Sequence, residues 1–179
     1  MAGIWRAYLS VLQKYPLRTL ALGTGTIMMT GDGISQMVIE KKGRNYDPVR
    51  GIRFFGFGFC IGGPWLRGWY LFLDRIFGRT KFAALKMVLA DQTIFAPTFL
   101  FTFVTVMSAL RGQSVDEIKG TIKRDYLPIM ETNYKVWPAA QLVNFYFVPM
   151  HHRVMYVNFV ALWWNTYLAW RSEKFEEKS

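Results

Sequence analysis

The sequence predicts an all-α integral membrane protein: a bundle of about four transmembrane helices, with amphipathic helices at the N-terminus and around Ser114, in one domain over residues 1–179. Three observations carry this. First, 52% of the 179 residues are hydrophobic and 17% aromatic, more than in an ordinary soluble domain, while mean hydropathy is only mildly positive at +0.13. Second, the Lys and Arg residues gather in short connections and tails, with only Arg67, Lys86 and Arg153 inside or at the edge of apolar runs. Third, those runs contain groups that lipid cannot solvate. The densest stretch is 137–170, where Gln141, Asn144, Pro149, His151, His152, Arg153, Asn158 and Asn165 interrupt a Phe-, Tyr- and Trp-rich segment, so they must face protein or trapped water.

Arg6, Lys14 and Arg18 precede the first acid, Asp32, and Trp5, Tyr8, Leu9 and Leu12 fall at helical spacing. This basic amphipathic opening suits an uncleaved mitochondrial address and equally a helix lying on a membrane surface. A first span follows over 17–39. In it Ala21 and Gly25 form a small-xxx-small pair for close helix contact, and Asp32, Ser35 and Gln36 share one polar face. Residues 40–53, with Asn45 and Asp47-Pro48, read as a basic loop.

The second span covers 54–73, with Gly58 and Gly62 suited to packing on the first span and Gly62-Gly63-Pro64 set to bend or locally open the helix. Trp65, Trp69 and Tyr70 flank Arg67, either as an aromatic belt around a snorkelling arginine or as a functional group. Cys60 is the only cysteine, which excludes an internal disulfide and a cysteine-based metal site; between Phe59 and Ile61 it is expected to be buried packing. The third span, 82–110, holds Lys86, Asp91, Gln92 and a helix break at Pro97. Lys86 and Asp91 are five apart, so Asp91 needs a partner from another helix or water.

Ser114 and Glu117 form a capping box opening a short helix with Val115, Ile118 and Ile122 on its apolar side; it is expected to end near Pro128 and lie along the membrane. Pro149 then divides the last apolar stretch into helices over 138–148 and 154–170, the second ending in a girdle of Trp163, Tyr167 and Trp170. With four crossings, Lys and Arg divide almost evenly between the two faces and fix no orientation.

The net charge of +10 and pI near 9.9 raise nucleic-acid binding, but the basic residues are scattered over every connection and no zinc-finger or RNP-type motif is present. Basic loops on an apolar body fit anionic lipid headgroups instead. No GxSxG, HExxH, P-loop or GxGxxG occurs, and the adjacent His151 and His152 project in different directions on a helix. No enzyme is expected, and with it no catalytic residue, metal or cofactor.

The closing third, Trp137-Pro138-x-x-Gln141-x-x-Asn144-Phe145-x-x-Val148-Pro149-x-x-x-Arg153 followed by Trp164-Asn165-x-Tyr167-Leu168, resembles the end motif of the Mpv-seventeen family of small peroxisomal and mitochondrial membrane proteins. Gly31-Asp32-x-Ile34-Ser35-Gln36, Gly63-Pro64, Trp69-Tyr70, Leu73-Asp74, Asp91-Gln92 with Pro97, Asp125-Tyr126 and Asn133-Tyr134 extend the resemblance over essentially the whole chain. Arg67 stands where many members carry histidine, so no role is transferred there. The resemblance implies about four spanning helices and, for the branch most alike, the mitochondrial inner membrane, with the peroxisomal membrane as the alternative. It also implies a proposed nonselective or weakly selective channel and a link to mitochondrial DNA maintenance through nucleotide supply.

Two readings of the polar residues follow. In the first, Asp32, Gln36, Arg67, Asp91, Gln92, Gln141, Asn144, Arg153, Asn158 and Asn165 line a pore for a small solute. In the second they are interhelical glue in a non-transporting scaffold or assembly protein, Asp91 pairing with Arg153 or Arg67. The expected partners are the lipid bilayer and an unidentified small molecule, with self-association left open and no nucleic acid.

Overall fold

The computed structural model describes residues 10, 14–148 and 153–173, and their regular structure is entirely helical. Five rods follow one another among the described residues. Helix α1 is Pro16–Ile34 continued by a π turn over Ser35–Ile39; α2 is Pro48–Phe57, a π turn Gly58–Gly62 and Gly63–Phe77. Helix α3 is Ala83–Ala90, a π turn Asp91–Phe95 and Ala96–Leu110; α4 is Val115–Phe147 and α5 is Arg153–Glu173. The N-terminal amphipathic segment, Pro149, His151 and His152 lie outside the described residues.

Short connections make successive rods antiparallel neighbours, so α1, α3 and α5 point one way. Helix α1 sits at the centre against both α2 and α5, and α4 packs on α3. Glycine sets the α1–α2 approach. A Cβ on Gly58 would stand 2.7 Å from Gly25 Cα, and one on Gly63 would stand 2.5 Å from Ala21 Cα, so Ala21 and Gly25 do meet α2 as expected, but against Gly58 and Gly63. A Cβ on Gly62, the expected partner, would instead meet Thr24 Cγ2 at 3.2 Å. Cys60, two residues from Gly58, consequently points the other way and is exposed, contrary to its expected burial.

Pro64 and Pro97 do not break their helices. Each follows a π turn, Gly58–Gly62 and Asp91–Phe95, whose wider coil makes room for the ring and the missing N–H, so α2 and α3 continue through. Residues 48–53, expected as loop, are the first turns of α2. Asp47 caps them, its Oδ1 accepting from the N–H of Val49 at 2.9 Å and Arg50 at 3.2 Å, with Pro48 in the first turn.

The largest departure is α4. The short surface helix expected over 114–127 and the helix expected over 138–148 are one 33-residue helix running through Pro128 and Pro138. Its Ser114 capping box is present as expected. Tertiary packing overrides the two proline interruptions: Ile129 and Met130 enter the core, and Thr132 Oγ1 donates to the Pro128 carbonyl at 2.9 Å.

The core is aromatic at its centre, where Phe103 meets Phe57 edge-on at 5.3 Å and Phe54 at 5.9 Å, surrounded by Met28, Leu100, Met107, Ile129 and Leu168. Many outward side chains are apolar too. Leu22, Met29, Leu71, Phe72, Leu85, Leu89, Phe101, Phe147, Phe159 and Trp163 are all exposed. Among the described residues one helix, Leu85–Leu110 with mean hydropathy 1.8, is long and apolar enough to cross a membrane by composition.

Candidate functional site

Five chain segments meet where α1 ends, α2 begins, α3 passes into α4 and α5 ends. They bring together a buried cluster of charge centred on Arg50, which is 2% exposed. Asp47 starts α2 early enough to place Arg50 in its first turn, facing α1. Its two terminal nitrogens fork onto Glu40, Nη1 to Oε2 at 2.7 Å and Nη2 to Oε1 at 2.5 Å, while Nη2 also reaches Ser35 Oγ at 3.3 Å. Its Nε lies 2.5 Å from Asp32 Oδ1 as an ion contact, with neither atom in an aligned hydrogen bond. The end of α5 completes the cluster: Glu173 Oε1 is 3.9 Å from Arg50 Nε and accepts from Arg111 Nη1 at 3.2 Å.

Around the ions, polar groups fix the carboxylates. Gln36 Nε2 donates to Asp32 Oδ2 at 2.8 Å and to the Asp47 carbonyl at 2.9 Å, and its Oε1 accepts from the Asp47 N–H at 2.7 Å. Ser35 Oγ donates to Glu40 Oε1 at 2.6 Å, and Arg111 Nη2 to Ser108 Oγ at 3.2 Å. Nearby, buried Asp125 accepts from Arg124 at 3.0 Å and lies 3.9 Å from Arg171, beside a cavity of about 10 Å³ lined in part by Arg111, Thr121 and Ser172. Four carboxylates (Asp32, Glu40, Asp125, Glu173) thus face four guanidinium groups (Arg50, Arg111, Arg124, Arg171).

Glu40 stands just outside α1, at the edge of the cluster. Burial works against its charge, but the Arg50 and Ser35 hydrogen bonds, the Arg50 charge and Lys42 outweigh it and hold its pKa down at about 2, against an ordinary 4.5. A carboxylate whose folded pKa is depressed contributes stability above its unfolded pKa and loses it as pH falls towards the folded value. Stability is therefore expected to decline between about pH 4.5 and about pH 2, and the Glu40→Gln variant to show a shallower decline there. Unfolding midpoints in detergent across that window measure it.

Of the residues singled out by sequence, Asp32 and Gln36 are fully buried members of this cluster. Asp91 and Gln92 lie farther along α3, in its π turn. Asp91 accepts from Trp69 Nε1 at 2.9 Å; it does not pair with Arg67, which is half-buried and makes no ion pair among the described residues. Trp69, packed against Phe95, is the donor across the α2–α3 contact. The Arg153 side chain lies outside the described residues. Gln92 Oε1 accepts from Asn133 at 3.1 Å, and its carbonyl accepts from Tyr134.

Asn144 donates to Gln141 at 3.4 Å, so these two do share a face. Asn158 and Asn165 do not share a common interior. Asn165 packs where a Cβ on Gly31 would come within 2.8 Å, whereas Asn158, two turns away from that close approach, is exposed. Arg50, Glu40, Arg111 and Glu173 were not anticipated; the Asp47-Pro48 cap signal was the clue to Arg50.

Described residues that are all helical in their regular structure, with many exposed apolar side chains and a buried cluster of matched charge, define the helical membrane class of protein to which the relatives below belong. The Mpv17 / PMP22 family model matches residues 108–169, from the end of α3 through α4 into α5. The mitochondrial inner membrane protein Mpv17 of Xenopus laevis is 46% identical over 97% of this chain and 99% of its own length. The proteins of the same name from Danio rerio and Homo sapiens are 42% and 41% identical, over 97% and 96% of this chain and 99% and 98% of theirs. No solved structure matches. The chain belongs to the Mpv17 / PMP22 family, and it is a protein of the mitochondrial inner membrane.

Proposed function

We propose that the chain is a multi-crossing channel for small solutes, held shut by the Arg50 cluster, and that this passage supports mitochondrial homeostasis and mitochondrial DNA maintenance as the family resemblance implies. Each rod rises about 1.5 Å per residue and covers about 30 Å of hydrocarbon or more. The observation that carries the reading is the matched charge at one end. Apolar packing of similar volume holds a bundle as well as a buried ion pair or better, so such a set favours a switch between arrangements over simple cohesion. Parting α5 from Arg50 and Arg111 would expose charged and amide groups to water along the interior.

The scaffold reading keeps one observation in its favour: the interior amides and hydroxyls pair between helices, as Asn133 does with Gln92 and Thr132 with Tyr167. Flux separates the two. With the full chain in liposomes, the wild type is expected to pass small anions and neutral solutes slowly. Glu173→Gln, which removes a charge facing both Arg50 and Arg111, is expected to raise that flux about tenfold. A folded wild type and a folded Glu173→Gln variant that both seal the liposome would leave the scaffold reading standing.

A further inference from the structure

The two ends of the bundle hold their charge differently. At the Arg50 end four carboxylates meet four guanidinium groups. At the other end, where α1 begins and α2 turns into α3, Lys14, Arg18, Arg75, Arg79, Lys81 and Lys86 are all exposed, and none forms an ion pair among the described residues. The α1–α2 seam brings them to one end: Gly63 lies on Ala21, so the start of α1 runs beside the last turns of α2. Asp74 is the one carboxylate in the sequence from 74 to 86. It folds over Gly78, where a Cβ would stand 2.5 Å from its Oδ1, and it pairs with none of the cations around it.

Aromatic rings take the place of carboxylates here. Lys14 Nζ lies 5.4 Å and the Arg18 guanidinium 5.8 Å from the centre of the Tyr15 ring, and Lys81 Nζ lies 5.2 Å from that of Phe82. A ring face holds a cation without cancelling its charge. Backbone bonds fix the turn that carries the tip, the Gly78 N–H donating to the Asp74 carbonyl and the Thr80 N–H to the Phe77 carbonyl, both at 2.8 Å. Phe82 ends it in a left-handed backbone, φ 60° and ψ 33°, rare for so bulky a residue, with its ring 67% exposed. Phe72, Ile76 and Leu85 are exposed around it, an apolar collar that sets the cations of the tip at the level of lipid headgroups.

We infer that this end is a binding site for anionic phospholipid headgroups, with Arg75, Arg79 and Lys81 on the phosphates, Lys14 and Arg18 beside them, and Phe82 at the boundary with the acyl chains. The chain is a membrane protein, so headgroups are the surface that the tip meets, and an anionic headgroup supplies the charge that six cations and one carboxylate lack. Lys41, Arg44 and Arg53 at the opposite end also form no ion pair among the described residues. They stand in a stretch that holds Glu40 and Asp47, so less charge is left over there. The inference holds for a channel and for a scaffold alike.

The test uses the full chain in mixed micelles holding equal amounts of phosphatidylglycerol and phosphatidylcholine, with mass spectrometry of the lipid retained. The wild type is expected to retain the anionic lipid over the zwitterionic one about tenfold, and less as salt is raised. R75Q/R79Q/K81Q should bring that ratio close to parity with helicity unchanged, and the charge-preserving R75K/R79K/K81R should keep it. K41Q/R44Q/R53Q, at the opposite end, should keep it as well. Soluble glycerol phosphate is expected to leave the bound lipid in place; displacement would mean a site for free phosphate and overturn the lipid assignment. A wild type without preference, a preference that survives R75Q/R79Q/K81Q, or an equal loss in K41Q/R44Q/R53Q would each overturn the inference.

Discussion

Arg50→Gln is expected to destabilise the bundle by about 3–5 kcal/mol, the largest effect of any single polar substitution in the described chain. The reason is what it leaves behind. Asp32 is 0% exposed and keeps only the Gln36 amide at 2.8 Å, while Glu40 loses both prongs of the guanidinium fork. A carboxylate stranded inside a bundle either takes up a proton, at the cost of its ionisation, or draws in water, which demands that α1, α2 and α5 part. Arg50→Lys should recover little, because one ammonium cannot fork onto Glu40 and also reach Asp32. The double variant D32N/R50Q should be more stable than R50Q alone by about 1–2 kcal/mol, since the stranded charge is then gone. Unfolding of purified protein in mild detergent, titrated with a denaturing one and followed by circular dichroism, gives all three values. Equal stability of R50Q and wild type would mean that the cluster is hydrated and structurally idle.

The same cluster shows what a sequence reveals and withholds in a membrane protein. Asp32 and Gln36 were legible because a polar pair inside an apolar run has only protein or water to face, and the run defines itself. Arg50 and Glu173 were not, because charged residues next to a span are by default assigned to water. Only the helix-start signal at Asp47-Pro48 could have moved Arg50 inside. For Glu173 no local signal exists; its burial comes from α5 lying parallel to α1, a long-range fact.

Helix α4 failed differently. Pro128 and Pro138 are genuine local interruptions, but the contacts of Ile129, Met130 and Asn133 outweigh two lost backbone bonds, and propensity yields to packing. The outward position of Cys60 follows from the glycine spacing. Once Gly58 and Gly62 are assigned to the α1 contact, helical geometry turns the residue between them outward.

Gly63→Ala carries the second large effect, and it tests packing without touching charge. The added methyl would stand 2.5 Å from Ala21 Cα, 2.8 Å from Ala21 N and 3.0 Å from the Leu20 carbonyl, all of them backbone atoms that no rotamer change can move. The two helices must separate over their whole contact, which also loosens Gly58 against Gly25, one to two turns away. Overpacking of this kind costs about 1–3 kcal/mol, against which the better helix propensity of alanine returns up to about 1 kcal/mol, so a net loss of about 1–2 kcal/mol is expected. Gly56 and Gly68 supply the internal control, since a Cβ at either meets nothing within 4 Å. Gly56→Ala and Gly68→Ala are expected to be neutral or to stabilise by up to about 1 kcal/mol, through propensity alone. Because α2 carries Arg50 at its start and Gly58 and Gly63 along its length, separation of α1 from α2 at Gly63 should also weaken the Arg50–Asp32 contact, and the losses from G63A and R50Q should then sum to more than the loss in the double variant. Strict additivity would show the small-residue seam and the charge cluster to be independent, and a Gly63→Ala variant as stable as Gly68→Ala would show that the close approach of α1 and α2 does not hold the bundle together.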